Sequence, residues 1–327
     1  MLCGDPMKVP RCTIILPTHN RATTLPRAVA SVIAQNEPDF ELIIINDAST
    51  DSTHAWLATL DDPRIRVVHL EHNQGPSAAR NIGINMAAAP VLAFLDSDDF
   101  YCKERLSMPL AVFNREPDVI CMLSSARKED KRGNTAAALL PDVKLASPAF
   151  EWAMICDLVG VECTSITVRT EHARKIGGFC SGLRRTEDRE FLIRLSRLGA
   201  ARILPDVLWE KTWSVDGLSN QWTTAGRDLA SYFSERTEYL GRYRKVGQYL
   251  ATKILVMHIR HRDVASLIND TRRFHRMGLL DGGITQLCRS HLQVKRYRRM
   301  AQNKPLEALT GPPADWESPR QVPYNVN

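Results

Sequence analysis

No run of the chain reaches the roughly 18 consecutive apolar residues of a membrane-spanning helix, and no two cysteines form a Cys-x-x-Cys pair. Neither a transmembrane protein nor a zinc-ribbon or disulfide-stapled scaffold is expected. The eight cysteines are scattered, which fits reduced thiols in a cytosol. Two phosphate-binding signatures are missing as well: no Gly-x-Gly-x-x-Gly follows a strand pattern, and no Gly-x-x-x-x-Gly-Lys-Ser/Thr occurs. Residues 1–10 lack the apolar core of a secretory signal, so a short leader and a cytoplasmic protein are expected.

What is present is ordinary for a soluble globular enzyme: 327 residues, 44% hydrophobic and 24% charged, enough for one large core or two modest ones. The charge is unevenly placed. Between residues 241 and 300 fourteen Lys and Arg stand against three Asp, although the whole chain carries only +6. A basic C-terminal third therefore follows an acidic body.

The first hundred residues alternate between two periods. Apolar, β-branched runs at Cys12–Leu16, Phe40–Ile45, Ile65–Leu70 and Val91–Leu95 read as strands, and 24–34, 52–60 and 77–87 read as helices between them. Strand and helix in alternation imply a parallel sheet with right-handed crossovers, whose ligand site lies beyond the carboxyl ends of the strands. Three polar clusters fall there: Thr18-His19-Asn20-Arg21, Asn46-Asp47-Ala48-Ser49-Thr50-Asp51 and Asp96-Ser97-Asp98-Asp99. Three acids in four positions repel one another. Either an oxygen-seeking ion such as Mg²⁺ or Mn²⁺ holds them, or they cap a helix expected over 103–113. If a nucleotide binds here, it binds through acids and a metal rather than a glycine-rich loop.

Further on, Val119–Ser124 and Ser165–Val168 read as strands, 127–148 as a polar surface loop or flap, and 187–198 as a helix stopped by Gly199. Asp188 falls in the first turn of that helix, where the dipole favours the ionised carboxylate that a general base needs.

Together these motifs resemble the family 2 glycosyltransferases of GT-A fold. The resemblance is carried by Pro17-Thr18-His19-Asn20-Arg21, Asn46 to Asp51, Asn73-Gln74-Gly75-Pro76-Ser77-Ala78-Ala79-Arg80-Asn81-Ile82-Gly83, Leu95 to Asp99, Gly177-Gly178-Phe179, and Glu187-Asp188 with Arg194-Leu195, over residues 10–220. It implies an α/β fold: a Rossmann-like wound mixed sheet flanked by helices, with a helical C-terminal extension. The expected domain, 11–220, has a nucleotide-binding half (11–100) and an acceptor half (101–220). A basic helical region (221–300) and a disordered tail (301–327) rich in proline follow.

The resemblance also implies roles. Asp47 would contact the nucleotide base, with Pro17, Thr18, Asn20 and Arg21 lining the same pocket and Arg80 near the base or diphosphate. Asp96 would serve ribose and metal, Asp98 would bind the metal ion (Mn²⁺ or Mg²⁺), and Asp188 would be the catalytic base. Glu187 and Trp213 are the acceptor-side candidates; Trp209 is expected in the core. The implied activity is inverting transfer from a nucleotide-diphosphate sugar, UDP-linked by resemblance, to a glycan or lipid-linked hydroxyl in envelope or exopolysaccharide synthesis. A non-catalytic nucleotide-sugar or glycan-binding domain is the alternative. One departure concerns the metal: the family often carries a His where alignment on Gly217-Leu218-Ser219 places Ser214, leaving Asp216 or water to fill in. The basic third reads as a solvated helical face, a surface for an acidic acceptor, or one for peripheral attachment to the inner face of the plasma membrane. No nucleic-acid motif accompanies the charge.

Overall fold

The computed structural model describes residues 9–155, 158–181, 183, 186–213, 244–260, 262–276, 278–280 and 282–302. It forms two compact units, residues 1–151 with 159–215, and residues 152–158 with 216–327.

The first unit is built on β1 (Cys12–Thr18), β2 (Phe40–Asn46), β3 (Ile65–His69) and β4 (Val91–Phe94), with helices α1 (Leu25–Ile33), α2 (Thr53–Leu57) and α3 (Pro76–Met86) between them. β1, β2 and β4 are buried along their whole length, as strands covered on both faces must be, which is why their sequences are apolar runs rather than alternating ones. Order β3-β2-β1-β4 is parallel throughout, as the strand–helix alternation predicts. Helix α1 packs Leu25, Ala28, Val29 and Val32, one stripe at helical spacing, and opens with a proline in its first turn.

Beyond β4 the sheet turns mixed. It continues through β9 (Ile166–Arg169), β6 (Val119–Glu129), β10 (Ala200–Lys211) and β5 (Asp99–Tyr101); β7 (Thr135–Ala138) pairs with β6 and β8 (Val143–Leu145) with β10. β6 and β10 are parallel; β9 is antiparallel to β4 and β6. Helices α4 (Ser107–Arg115), α5 (Ala149–Ile155), α6 (Thr170–Lys175) and α7 (Glu187–Leu195) complete the order. Two expectations are corrected. Part of 127–148 is strand: β7, an Ala- and Thr-rich segment without alternation, has its backbone paired by β6, and the three-residue β8, with Val143 and Leu145 buried on either side of Lys144, is paired by β10. Asp99 caps no helix: it opens β5, antiparallel to Lys211, and α4 starts later, at Ser107.

The second unit contains α8 (Arg244–Arg260), α9 (Val264–Arg276) and α10 (Gly283–Gln302). Its interior holds Tyr249, Ile254, Phe274, Leu287 and Val294, a buried His258–Asp270 pair at 2.8 Å and a Ser290–Gln248 hydrogen bond. The expected helical character of the basic region is present in these three helices. Ser214, Asp216, Trp222 and the tail from 303 lie outside the described residues.

The Asn81-Ile82-Gly83 segment is structural. A Cβ on Gly83 would stand 2.5 Å from Ile15 Cγ2, inside the contact of α3 with β1. Gly83→Ala is expected to cost about 1–3 kcal/mol by overpacking, read as a shift in urea midpoint at unchanged slope.

Candidate functional site

At the carboxyl ends of β1 and β2 two loops are sewn together by side chains. Asn20, in the left-handed region at φ 53, donates its backbone N–H to Ser49 Oγ at 3.0 Å, and its Oδ1 accepts from the N–H groups of Thr50 and Asp51 at 2.7 and 3.3 Å. His19 Nδ1 lies 2.7 Å from the Asp47 carbonyl oxygen. Asp47 is buried, and its two carboxylate oxygens accept from the backbone N–H of Gln74 and of Gly75, each at 2.8 Å. It therefore ties the β2 loop to the entrance of α3, where a negative group also meets the helix dipole favourably. Pro17 pairs with Ile45 inside the sheet, and the buried Thr18 hydroxyl has no hydrogen-bond partner. Of the five expected nucleotide contacts on these loops, Asn20 and Asp47 thus have architectural work of their own.

The acids sit at the end of β4. Arg80 reaches them from α3, with its side chain only 4% exposed: Nη2 donates to Asp96 Oδ1 at 2.7 Å and Nη1 to Glu187 Oε1 at 3.0 Å. One guanidinium thus joins the β4 loop to the first turn of α7. Glu187 is consequently an ion-pair partner, and its pKa is raised by burial although Arg80 opposes the shift. Helix α7 is fixed at its other side by Arg194, which grips Glu190 through two bonds of 2.5 and 2.6 Å and donates to the Gly178 carbonyl at 2.6 Å.

Asp188 is half-buried, with Oδ1 accepting from Arg189 N at 2.7 Å. Burial first, and the neighbouring Glu187 second, push its pKa up to about 7. The expected preference for the ionised form is corrected accordingly. An exposed helix dipole is worth about 0.3–1 kcal/mol, whereas a rise from 3.8 to about 7 exceeds that several-fold.

Asp98 and Asp99 repel Asp96 and each other. Burial and Asp96 raise the Asp98 pKa, and burial with both neighbours raises that of Asp99 further. Asp99 Oδ2 accepts from Thr164 Oγ1 at 2.8 Å, while its buried Oδ1 has no partner. Thr164 also accepts from the Asp96 N–H at 3.2 Å. The turn carrying Thr164 is held by the fully buried Arg105, which donates to the carbonyls of Thr164 and Ile166 at 2.8 and 3.0 Å and to Thr167 Oγ1 at 2.6 Å. Arg21 approaches Asp98 at 3.9 Å, and Lys211, from the last position of β10, faces Asp99. Arg105, Thr164 and Lys211 carry no motif; the first two come from turns, and Lys211 arrives through the pairing of β10 with β5. Trp209 is buried as expected; Trp213 is 38% exposed and donates its backbone N–H to Glu129 at 3.3 Å.

The donor set suits a hard divalent cation. Asp98 is part-exposed, Asp96 keeps Oδ2 beyond its bond to Arg80, and Asp99 Oδ1 is a buried oxygen without a partner. Mg²⁺ and Mn²⁺ take such sites with one or two carboxylates plus substrate oxygens and water. Among the described residues no group of three His, Cys, Asp or Glu encloses such an ion by itself.

Residues 13–168 match the family model of glycosyl transferase family 2. Over these residues, just under half of the chain, the protein is similar to the family 2 glycosyl transferases. The chain is 41% identical over 99 residues to the succinoglycan biosynthesis protein ExoO of Rhizobium meliloti (strain 1021), covering 30% of this chain and 28% of that protein. It is 40% identical over 103 residues to the putative teichuronic acid biosynthesis glycosyltransferase TuaG of Bacillus subtilis (strain 168), covering 31% and 41%. The aligned segment thus spans less than half of either relative. In three dimensions the chain matches S. aureus TarS 1–349, solved with UDP-GlcNAc, at a TM-score of 0.65 and 16% identity over 90% of this chain and 91% of that one. It matches the mannosyltransferase PcManGT of Pyrobaculum calidifontis, solved with GDP-Man and Mn²⁺, at 0.57 and 17% over 94% and 84%. These likenesses establish the fold, the expected GT-A arrangement of a mixed sheet between helices.

The Asp188 environment has a measurable consequence for stability. Its folded pKa of about 7 lies above the unfolded value, so its contribution is most favourable below about pH 4 and is lost as pH rises to 7. Asp188→Asn removes the titration. The variant is expected to gain stability relative to wild type between pH 4 and 7 and to hold a constant advantage above pH 7, measured as urea midpoints across that range.

Proposed function

We propose that the chain is an inverting glycosyltransferase that moves a sugar from a nucleotide-diphosphate donor to a hydroxyl of a glycan or lipid-linked acceptor in envelope or exopolysaccharide synthesis. The observation that supports this reading is the Asp96–Arg80–Glu187 bridge, which ties the acid loop to the start of the helix bearing Asp188, a half-buried carboxylate whose pKa is pushed up to about 7. A base poised near neutrality removes a proton most effectively there. Donors bound to TarS and PcManGT are UDP-GlcNAc and GDP-Man; UDP is the carrier we favour for this chain.

The acceptor oxygen attacks the anomeric carbon from the side opposite the diphosphate, Asp188 takes its proton, and the sugar–phosphate bond breaks with its electrons going to the diphosphate. Configuration inverts in one displacement, without a covalent enzyme intermediate. Arg80 keeps Asp96 and Glu187 in place, and Thr164 orients Asp96 and Asp99. Asp98 and Asp96 would hold a divalent ion, which when bound supplies Lewis-acid stabilisation of the leaving diphosphate. Asp188→Asn should lower turnover by about 10²–10⁴-fold, equivalent to about 3–5 kcal/mol, and leave nucleotide affinity unchanged. A panel of nucleotide sugars, scored for thermal stabilisation and for transfer or hydrolysis with Mn²⁺, selects the donor. Stabilisation without turnover by wild type would favour the binding-domain alternative.

The reading extends to location. Around the turn between α8 and α9, Val256, Ile259, Val264 and Ile268 are exposed among Arg260, Arg262 and Arg272. Apolar side chains with a cationic surround suit the surface of an anionic bilayer, from which a lipid-linked acceptor would be reached in the cytoplasm. Full-length protein should sediment with phosphatidylglycerol vesicles and less with phosphatidylcholine, and Ile259→Asp with Val264→Asp should weaken that binding. Undiminished binding by the double variant would sink the membrane attachment.

A further inference from the structure

We propose that Lys211 is a binding residue for the donor's diphosphate, the protein's own cation on the leaving group. The assignment rests on the nucleotide-sugar reading and deepens it. Lys211 ends β10, and its Cα partners are Asp99 on β5 to one side and Lys128 on β6 to the other. Its ammonium donates to Glu162 Oε2 at 3.1 Å, and Lys128 donates to the other oxygen of the same carboxylate at 2.5 Å.

Two ammonium groups share one anion, so the Lys128–Glu162–Lys211 cluster keeps a surplus positive charge beside the acids. Among the other cations near the acids, Arg21 stands 3.9 Å from Asp98 on the β1 side of the rim, and two buried arginines are engaged. Arg80 is buried and spends both terminal nitrogens on Asp96 and Glu187, and Arg105 is fully buried under the Thr164 turn. Lys211 is different: its side chain is 30% exposed, its bond to Glu162 uses one of three donors, and it acts electrostatically on Asp96, Asp98 and Asp99. Burial opposes its charge, yet Glu162 and the acids outweigh burial and keep it protonated.

A diphosphate drawn to Asp98 and Asp96 through a divalent ion brings more negative charge than that ion neutralises. A flexible point-charge donor at the same rim is suited to take the remaining phosphate oxygens. Glu162 then holds the lysine stem in position between substrate encounters.

Calorimetric titration separates this role from a structural one. With Mn²⁺ present, wild type, Lys211→Met and Lys211→Arg are titrated with UDP and GDP and with the matching monophosphates. For the diphosphate that wild type binds, Lys211→Met is expected to lose about ten- to a hundredfold in affinity, the range of one charge-assisted hydrogen bond. It should stay within about threefold of wild type for the monophosphate, and Lys211→Arg within about threefold for both. Unchanged diphosphate affinity in Lys211→Met overturns the assignment, as do equal losses for diphosphate and monophosphate, which are the mark of a disturbed fold. Wild type that binds neither diphosphate overturns the nucleotide-sugar reading itself, and the lysine assignment with it.

Discussion

The arrangement of the first unit turns on one buried cation. Arg80 lies beneath the rim of the sheet and divides its guanidinium between Asp96, sixteen residues on, and Glu187, more than a hundred residues on. A buried ion pair is weak evidence of net stability, since desolvating the charges costs nearly what their attraction returns. Its effect is on geometry. Neither carboxylate can turn away without leaving a charge uncompensated in a low-dielectric place, so the β4 loop and the start of α7 are held in one spatial relation. Phe179, which carries the Arg80 guanidinium 5.4 Å from its ring centre, stacks on Phe191 of α7 at 4.3 Å. An aromatic floor and an ionic tie thus position the same helix.

Around that tie the electrostatics are organised element by element. Asp96 has Arg80 from a helix, Asp98 has Arg21 from a loop, and Asp99 has Lys211 from a neighbouring strand. The repulsion among three clustered acids is met by side chains from three separate parts of the chain. One hydroxyl serves two acids: Thr164 Oγ1 accepts from the Asp96 N–H and donates to Asp99, while Arg105 donates to the Thr164 carbonyl.

The residues that can be read from the chain are those whose neighbours in sequence are also their neighbours in space. Apolar runs closed by polar clusters gave away four strands and the rim where the acids lie, and the Glu187-Asp188 pair stood out at a helix start. What could not be read depends on pairing between distant segments. Lys211 becomes a neighbour of Asp99 only when β10 lies antiparallel to β5, and Glu187 becomes a partner of Arg80 only when α7 docks. The strands inside 127–148 were hidden for the same reason, being set by backbone pairing with β6 and β10. The protonation of Asp188 is not legible in the sequence, because a dipole follows from position in a helix whereas desolvation depends on what packs over it.

The order of the segments along the chain bears on how the site comes into being. The four parallel strands that carry the acids all lie within about the first hundred residues and pair with one another without needing the later strands. The groups that complete the rim arrive later: Thr164 with β9, Glu187 with α7, and Lys211 with the last residue of β10. During synthesis the first hundred residues can therefore gather with Arg80 and Arg21 already beside Asp96 and Asp98, while Asp99 still lacks Thr164 and Lys211. Assembly of the site and completion of the sheet are the same late event, so a nascent chain that has not reached residue 211 holds a folded scaffold without a finished site.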